Sequence, residues 1–162
     1  MPLITVDGFR EDAFAPLGDD IPLPDGAVLV SLSRFLAERD ALIARNAPIG
    51  VRLKSDQSPE QLGDDVHRLS LVALEFPKFR DGRAFSWARL LRTRLGFTGQ
   101  VRAVGDFLYD QIAYQRRVGF DEWEVAEGFT PDDLHRALGE ITNVYQPSAD
   151  GRKTIRELRA SA

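Results

Sequence analysis

The sequence predicts an α/β protein with a mainly parallel sheet and flanking helices. Two patterns predict this class. Short apolar runs typical of buried strands alternate with segments in which apolar residues recur at helical spacing. Glycine followed by an apolar residue ends two of those segments, as expected where a left-handed residue caps a helix before the next strand. About five strands are expected, at residues 27–32, 49–53, 69–76, 101–104 and 122–125.

Two arrangements of these strands are consistent with the sequence. One is a flavodoxin-like sandwich, in which helices form a layer on each side of the sheet. The other is a half or open β/α barrel, which would need a partner to close. A homodimer is therefore one possible assembly. Both arrangements place the functional loops at the carboxyl ends of the strands, where ligands bind in such folds.

The chain is expected to form one domain, because 162 residues is an ordinary length for a single domain. Both ends of the chain are expected to be less regular. Residues 1–26 are rich in Pro, Gly and Asp and are predicted to form an irregular arm with one short strand at Leu3–Val6. Residues 27–146 are predicted to form the α/β domain. Residues 147–162 are polar and are expected to be a loosely held tail or a detached short helix.

Capping residues define the helices. Ser58 and Thr130 are each followed by proline, the combination typical of a helix cap and its first turn. Gly96 and Gly119 are the two glycines expected to end helices. The predicted helices are Ser33–Arg45, Ser58 to about Asp65, Ala84 to Leu95, Phe107–Val118 and Thr130 to about Ile141.

The composition excludes several classes of site. The chain has no cysteine, which excludes disulfides, a thiol nucleophile and cysteine-ligated iron–sulfur or zinc sites within it. It also has no glycine-rich phosphate loop, zinc motif or nucleophile elbow. No apolar run approaches the roughly 20 residues of a membrane helix, and no secretion signal is present at the start. We therefore expect a cytoplasmic protein with no metal, no cofactor and no membrane partner.

Charge is unevenly distributed along the chain. The formal net charge is −4, but residues 78–117 hold nine basic and three acidic side chains and so carry +6, while the rest carries −10. A locally basic but globally acidic protein indicates a local anion site or an acidic partner, not nucleic acid.

The most charged loop follows the apolar run at residues 69–76. It places Lys78, Arg80 and Arg83 within six residues at the start of a helix, where free N–H groups and the helix dipole favour an anion. Asp81 supplies a cap for that helix. Because arginine forks bind carboxylate, sulfate or phosphate oxygens in pairs, we expect this loop to bind a small oxyanion or an acidic patch on a partner.

Further candidates follow the neighbouring strands. Glu75 ends a buried strand, so its carboxylate needs a cationic partner, for which Lys54 or Lys78 would serve. Asp106 is either a site residue or the cap of the next helix. No residue is assigned a catalytic role. The candidate anion- or partner-binding residues are Lys54, Glu75, Lys78, Arg80, Asp81, Arg83, Asp106 and Tyr109.

One long stretch carries a family resemblance. The run from Glu75 to Val125, EFPKFRDGRAFSWARLLRTRLGFTGQVRAVGDFLYDQIAYQRRVGFDEWEV, closely resembles the bacterial domain of unknown function 934 family, and the similarity extends over most of the chain. Members of that family are commonly labelled probable oxidoreductases involved in sulfite reduction. The resemblance therefore implies a role in sulfur assimilation. It assigns no catalytic residues.

Two functions are compatible with this resemblance. The first is an accessory protein of assimilatory sulfite reduction that binds the reductase or another sulfur-assimilation enzyme, a small oxyanion, or both. It is favoured because a chain without cysteine or a dinucleotide fingerprint has no evident redox group of its own. The alternative is a small-molecule or flavin-dependent oxidoreductase that uses the same loop, with a flavin stacked on Phe79, Trp87 or Tyr109.

Overall fold

Eight strands form one curled, half-barrel sheet in the computed structural model, which describes residues 1–140 and 142–161. Their order across the sheet is β2-β1-β8-β7-β6-β5-β4-β3. Neighbouring strands from β3 to β8 are parallel, whereas β1 is antiparallel to both β8 and β2. The strands are β1 (Leu3–Thr5), β2 (Gly8–Arg10), β3 (Ala15–Pro16), β4 (Val28–Ser31), β5 (Ile49–Leu53), β6 (Leu71–Phe76), β7 (Gln100–Gly105) and β8 (Glu122–Glu124).

The predicted mainly parallel sheet is confirmed, but the number of strands is larger than the five expected. The five predicted strands correspond to β4 to β8, and no predicted boundary differs from the structure by more than two residues. The other three strands lie in residues 1–26, which were expected to be an irregular arm. Of these three, only β1 corresponds to a predicted strand. β2 and β3 are short edge strands of three and two residues.

Six α-helices and two 3₁₀ segments lie within the described residues. The 3₁₀ segments are Pro59–Arg68 and Tyr109–Gln111. The helices are α1 (Leu32–Ala37), α2 (Arg39–Ala44), α3 (Arg83–Thr93), α4 (Ile112–Val118), α5 (Pro131–Gly139) and α6 (Ile155–Ala160).

Several helices differ from their predicted extent. The helix predicted over residues 33–45 is divided into α1 and α2 at Glu38, whose φ of −111° and ψ of 21° are not helical. The helix expected after Ser58 is a 3₁₀ helix interrupted at Gly63, which has a φ of 54°. The helix predicted from residue 107 begins at Ile112, because the side chain of Gln111 accepts a hydrogen bond from the Leu108 N–H and caps a 3₁₀ turn instead.

The caps predicted at Ser58, Thr130 and Gly119 are present in the structure. Gly96 has the expected left-handed φ, 63°, but α3 ends earlier, at Thr93, with Arg94 as its cap residue. Ser58 accepts a hydrogen bond from the Glu60 N–H at 3.3 Å, and Thr130 accepts one from the N–H of Asp133 at 3.2 Å. Gly119 ends α4 with a φ of 120°. The predicted end of the last long helix, Ile141, lies outside the described residues, and α5 ends at Gly139.

The helices pack on one face of the sheet. Alternate residues of β4 to β7, such as Val72, Leu74 and Phe76 of β6, join Trp123 of β8 and apolar side chains of α1 to α5 in one large core. This follows from the strand order, because right-handed crossovers that always advance to the next strand in the same direction place every helix on the same face. A flavodoxin-like sandwich needs helices on both faces, so that predicted alternative is wrong and the half-barrel alternative is confirmed.

A short connection shows how strongly the sheet curls. β2 and β3 are the two edges of the sheet, yet only four residues, Glu11–Phe14, connect them. A connection of that length spans at most about 18 Å. The edges of a flat eight-stranded sheet would lie about 34 Å apart, because neighbouring strands are spaced by about 4.8 Å. The edges must therefore approach each other, and the connection, here called the crossing segment, passes over the concave face.

Phe14 anchors the crossing segment on the face opposite to the helices. Its ring is buried in a second, smaller core that contains no helical residue. The strand residues in this core point to the concave face because side chains alternate along a strand. They are Leu29, Leu71, Ala73 and Val104.

Arg102 provides a second, polar anchor. Its side chain and that of Glu122 on the next strand are each only 1% exposed, and the Arg102 Nε donates to Glu122 at 2.9 Å. The two Nη groups of Arg102 donate to the carboxylate of Asp12, in the crossing segment, at 2.7 and 2.8 Å. A buried guanidinium is costly unless its charge is paired and its N–H groups are bonded, and this arrangement meets both conditions.

The end of the chain is attached to α4. Arg117 donates to Asp150 at 3.0 Å and to the carbonyl oxygen of Gln146 at 2.7 Å. Thr154 caps α6 by accepting from the N–H of Glu157. The expected loosely held tail therefore includes a short helix, and its entry is fixed to the domain by an ion pair.

Asp12→Asn is expected to lower the free energy of unfolding by about 1.5 kcal/mol, because it removes a carboxylate from charged hydrogen bonds to a buried guanidinium. The value lies low in the usual range because the Asp12 side chain is 34% exposed. Urea denaturation at neutral pH measures it. The control is Asp7→Asn, since the exposed Asp7 side chain has no partner among the described residues. Equal stability of the two variants would contradict the anchoring role of Asp12.

The same pair predicts a pH dependence. Burial opposes ionisation of Asp12, but hydrogen bonds from Arg102 and the Phe14 N–H outweigh it and hold the pKa of this carboxyl below its ordinary 3.8. The folded protein then binds fewer protons at Asp12 than the unfolded chain does, so the stabilisation is complete above about pH 5 and is lost as the pH falls through the folded pKa. The stability difference between wild type and Asp12→Asn should therefore shrink from about pH 5 to pH 3. A constant difference in a denaturation series over this range would be inconsistent with the pairing.

Gly105→Ala is expected to destabilise the end of β7 by about 1–3 kcal/mol. Gly105 has a φ of 98°, and a Cβ added there would lie 2.4 Å from the carbonyl oxygen of Phe76. Thermal denaturation would measure the effect beside two controls. Gly128 has a φ of 90°, but nothing lies within 4 Å of an added Cβ, so Gly128→Ala should show the cost of backbone strain alone. Gly26 has neither a positive φ nor a close neighbour, so Gly26→Ala should be nearly neutral. If all three variants have the same melting temperature, the close approach of Gly105 to Phe76 does not constrain the choice of residue.

Candidate functional site

The structure distributes the eight predicted site residues over three places at the carboxyl ends of the parallel strands. Lys54 and Glu75 line a cavity of about 380 Å³ on the concave face, here called the concave cavity. Asp106 and Tyr109 line a second cavity of similar volume beside the ends of β7 and β8. The loop after β6 lines neither cavity and carries the remaining four, Lys78, Arg80, Asp81 and Arg83.

Glu75 is paired with a residue that sequence reasoning did not select. The expected partner was Lys54 or Lys78, but the Arg52 Nε donates to the Glu75 carboxylate at 3.1 Å. The strand register explains the pairing: Arg52 lies opposite Ala73, and Glu75 is two residues further along β6, hence on the same face. The sequence does contain a pattern that indicates a polar face here. Gly50, Arg52 and Lys54 alternate with the apolar residues of β5, so they are expected on the face of the sheet opposite to those residues.

Lys54 follows β5 on the same face as Arg52. Its backbone N–H donates to the side chain of Gln57 at 2.9 Å, but its ammonium group has no partner among the described residues. Arg52 likewise uses only its Nε, so its two Nη groups have no protein partner within residues 1–140 and 142–161. The concave cavity therefore contains two cationic groups with free hydrogen-bond donors.

The outer wall of the concave cavity is formed by residues 16–19, which follow the crossing segment. Ser31 donates to the carboxylate of Asp19 at 2.7 Å. Arg34, a buried residue of α1, donates to the carbonyl oxygen of Gly18 and also pairs with Glu38. These contacts fix the wall to the first turn of α1. Neither Asp19 nor Ser31 was singled out from the sequence, because their contact depends on where the crossing segment lies.

Arg83, in the loop after β6, is already bound by its own loop. Its Nε and Nη2 donate to the two carboxylate oxygens of Asp81 at 2.9 and 2.6 Å, and Nη2 also donates to Ser55 at 2.9 Å. The hydrogen bonds from Arg83 hold the pKa of Asp81 far below its ordinary value. Asp81 also accepts from the Arg83 N–H at 3.2 Å, although the cap residue of α3 is Gly82. An intramolecular carboxylate thus occupies the arginine fork that was expected to bind an anion.

The other two cations of this loop, Lys78 and Arg80, are exposed and have no carboxylate partner among the described residues. The Arg80 guanidinium lies over the ring of Phe79, 5.3 Å from its centroid. This is a cation–π contact, which leaves the N–H groups of the guanidinium in solvent.

Gln111 joins the loops after β6 and β7 into one surface. Its Nε2 donates to the carbonyl oxygen of Phe79 at 2.9 Å, and its Oε1 accepts from the Leu108 N–H at 3.0 Å. Tyr114 lies three residues further on, on the same side of the chain, and its ring contacts that of Phe85 at 5.2 Å. Phe79, Leu108 and Tyr114 are 38%, 43% and 46% exposed. Together with Gln111 and the exposed Lys78 and Arg80 beside Phe79, they form what we call the Gln111 surface.

The second cavity contains the last two predicted residues in different roles. Asp106 does not cap a helix: its backbone N–H donates to the Phe76 carbonyl oxygen at 2.7 Å. Tyr109 packs against Phe129, with ring centroids 6.4 Å apart, and its hydroxyl oxygen is buried. Burial raises the pKa of Tyr109, and the nearby charge of Glu140 adds to the effect. Tyr109 is thus mainly a packing residue.

The three aromatic residues expected to stack on a flavin are not brought together. Phe79 is exposed in the loop after β6, and Tyr109 lines the second cavity. Trp87 packs against the main core, and its Nε1 donates to the carbonyl oxygen of Ser55 at 2.9 Å. No ring contact joins any two of the three within the described residues.

Two further features are absent from the part of the chain that the structure describes. No group of three or more His, Cys, Asp or Glu residues there is placed to hold a metal ion. No helix in the same residues is long and apolar enough to cross a membrane.

Comparison with known proteins gives a match to a family model. Searches of curated proteins and of solved structures found no match. A family model for bacterial proteins of unknown function (DUF934) matches residues 50–156, which is 107 of the 162 residues. The match includes all of β5 except Ile49, all of β6 to β8, the loops that form the Gln111 surface, and the Arg52–Glu75 pair. The chain therefore belongs to the DUF934 family of bacterial proteins.

Proposed function

We propose that this protein is an accessory protein of assimilatory sulfite reduction, and that it binds the sulfite reductase, or another sulfur-assimilation enzyme, through the Gln111 surface. The metabolic setting comes from the resemblance of residues 75–125 to a family labelled as involved in sulfite reduction. The observation that carries the binding role is the exposure of Phe79, Leu108 and Tyr114 on one surface beside Lys78 and Arg80.

The composition of the Gln111 surface is that of a protein interface. Aromatic residues and arginine are enriched at interface centres, where they supply much of the binding energy. Gathered large apolar side chains at a monomer surface usually mark an interaction site. Here Phe79, Tyr114 and Arg80 supply these types, and Leu108 adds an aliphatic contact.

The surface is held in place before a partner arrives. Gln111 bonds both loops through their backbones, and Asp81 and Arg83 fix the turn between β6 and α3. Side chains and loops that are already ordered lose less conformational entropy on binding, so a given contact area yields more affinity.

Charge indicates which part of the partner meets the loop after β6. Lys78 and Arg80 are its exposed cations without a carboxylate partner in the described residues, so this side favours acidic groups on the partner. Asp110, in the 3₁₀ turn before α4, is acidic, so the cationic character belongs to the loop and not to the whole surface. The same two cations are the loop groups left to bind a small oxyanion, since Arg83 is occupied by Asp81.

The double substitution Phe79→Ser, Arg80→Glu is expected to reduce recovery of the partner at least tenfold, because it removes an aromatic anchor and reverses a charge at one interface. Tagged protein would be captured from the native host at low ionic strength, and bound sulfur-assimilation enzymes quantified by mass spectrometry. The matched control is Phe9→Ser, Arg68→Glu, which changes an exposed phenylalanine and an exposed arginine on other elements. Circular dichroism melts confirm that both variants fold.

Two results would overturn the proposal. Equal recovery of a sulfur-assimilation enzyme by the two double variants would show that the Gln111 surface is not used. Wild type purified from the host with a stoichiometric flavin spectrum and substrate turnover would instead support the alternative, a small-molecule or flavin-dependent oxidoreductase.

A further inference from the structure

We propose that the concave cavity is a binding site for a small organic anion, meaning an apolar or ring-shaped body that carries a carboxylate, sulfonate or phosphate group. This goes beyond the proposed partner binding, because the cavity and the Gln111 surface have no residue in common.

The position of the cavity favours a ligand site. The crossing segment covers the concave face with Phe14, which packs over Leu71 and Ala73. The cavity opens beyond this point, where Arg52 and Glu75 mark the carboxyl ends of β5 and β6. In parallel α/β folds ligands bind at this end of the sheet. Its volume of about 380 Å³ lies at the small end of the range for small-molecule sites.

The free hydrogen-bond donors select an anion. The cavity is lined by two cations and two carboxylates, but both carboxylates already accept bonds: Glu75 from Arg52, and Asp19 from Ser31. The Lys54 ammonium and the Nη groups of Arg52 have no protein partner among the described residues. A cationic ligand would have to compete with Arg52 for Glu75, whereas an anion finds an unused guanidinium edge whose orientation Glu75 already fixes.

The apolar lining of the concave cavity favours a ligand that also has an apolar part. Pro16, Leu17 and Leu29 form an apolar side of the cavity lining. An inorganic anion would leave this side in contact with water, while a ligand with an apolar part buries it and gains about 25 cal/mol per Å². Because Asp19 and the adjoining Gly18 are tied to α1, the wall needs little rearrangement on binding.

Calorimetric titration with naphthalene-1-sulfonate, used as a probe that combines a ring with an anionic group, tests the proposal on the full chain. Saturable one-to-one binding is expected for wild type. Lys54→Gln should weaken it about tenfold to a hundredfold, the usual value of a charged hydrogen bond. The matched control is Arg89→Gln, an exposed cation of α3 that does not line the cavity, and it should bind as wild type does.

Two companion probes separate the charge from the apolar contribution. Inorganic sulfate should bind at least tenfold more weakly than naphthalene-1-sulfonate, and 1-naphthylmethylammonium should not bind. The proposal fails if wild type shows no saturable binding, if Lys54→Gln leaves the affinity unchanged, if sulfate binds as tightly as the sulfonate, or if the cationic probe binds equally well.

A fourth measurement keeps this result independent of the proposed function. Phe79→Ser, Arg80→Glu alters only the Gln111 surface, so it should bind naphthalene-1-sulfonate with wild-type affinity even though partner recovery is lost. If that variant loses the probe as well, the probe binds at the Gln111 surface and the assignment to the concave cavity is wrong.

Discussion

The buried guanidinium of Arg102 is the interaction on which the concave side of this protein depends. Its Nε reaches a neighbouring strand through Glu122, and its two Nη groups reach the crossing segment through Asp12. A charge taken out of water in this way must be paired, so the position of Asp12 is dictated by strand β7. Once Asp12 is placed, Phe14 covers the apolar part of the face, and residues 16–19 are carried to the far edge, where they form the wall of the concave cavity.

Because of the strand order, the two faces of the sheet are covered differently. With β4 to β8 in consecutive order, the helices cover one face and supply nearly all of the large apolar core. The opposite face receives only the crossing segment, and this is why charged side chains such as Arg52, Glu75 and Arg102 are tolerated in the middle of a sheet. Stability is thus concentrated on the convex side, and the carboxyl end of the concave side remains open for binding.

Local signals explain what was predictable. β4 to β7 were found because they are largely apolar runs bounded by turn residues, and β8 because it follows Gly119, a glycine that ends a helix. The caps at Ser58 and Thr130 were found because a hydroxyl, a proline and the following turn are adjacent in sequence. The three strands of residues 1–26 were mostly missed, since strands of two or three residues carry too short a sequence pattern and exist only through their pairing with other strands. For the same reason the Arg52–Glu75 pair was missed: it depends on the register between strands. Arg83 lies at the start of α3, as expected from the sequence. Its hydrogen bonds to Asp81, two residues earlier, could not be predicted, because they depend on the conformation of the loop.

The connection of the two sheet edges also constrains the order in which the chain acquires its structure. Asp12 and Arg102 are separated by 90 positions, and Leu3 of β1 pairs with Glu124 of β8. Asp12 and Leu3 are therefore synthesised well before their partners, which follow 90 or more positions later in the chain. Contacts of such long sequence separation form late because their loop-closure entropy must be overcome first. We therefore expect the consecutive parallel strands to assemble first as an open sheet, and the contacts of β1 and of the crossing segment with that sheet to form last.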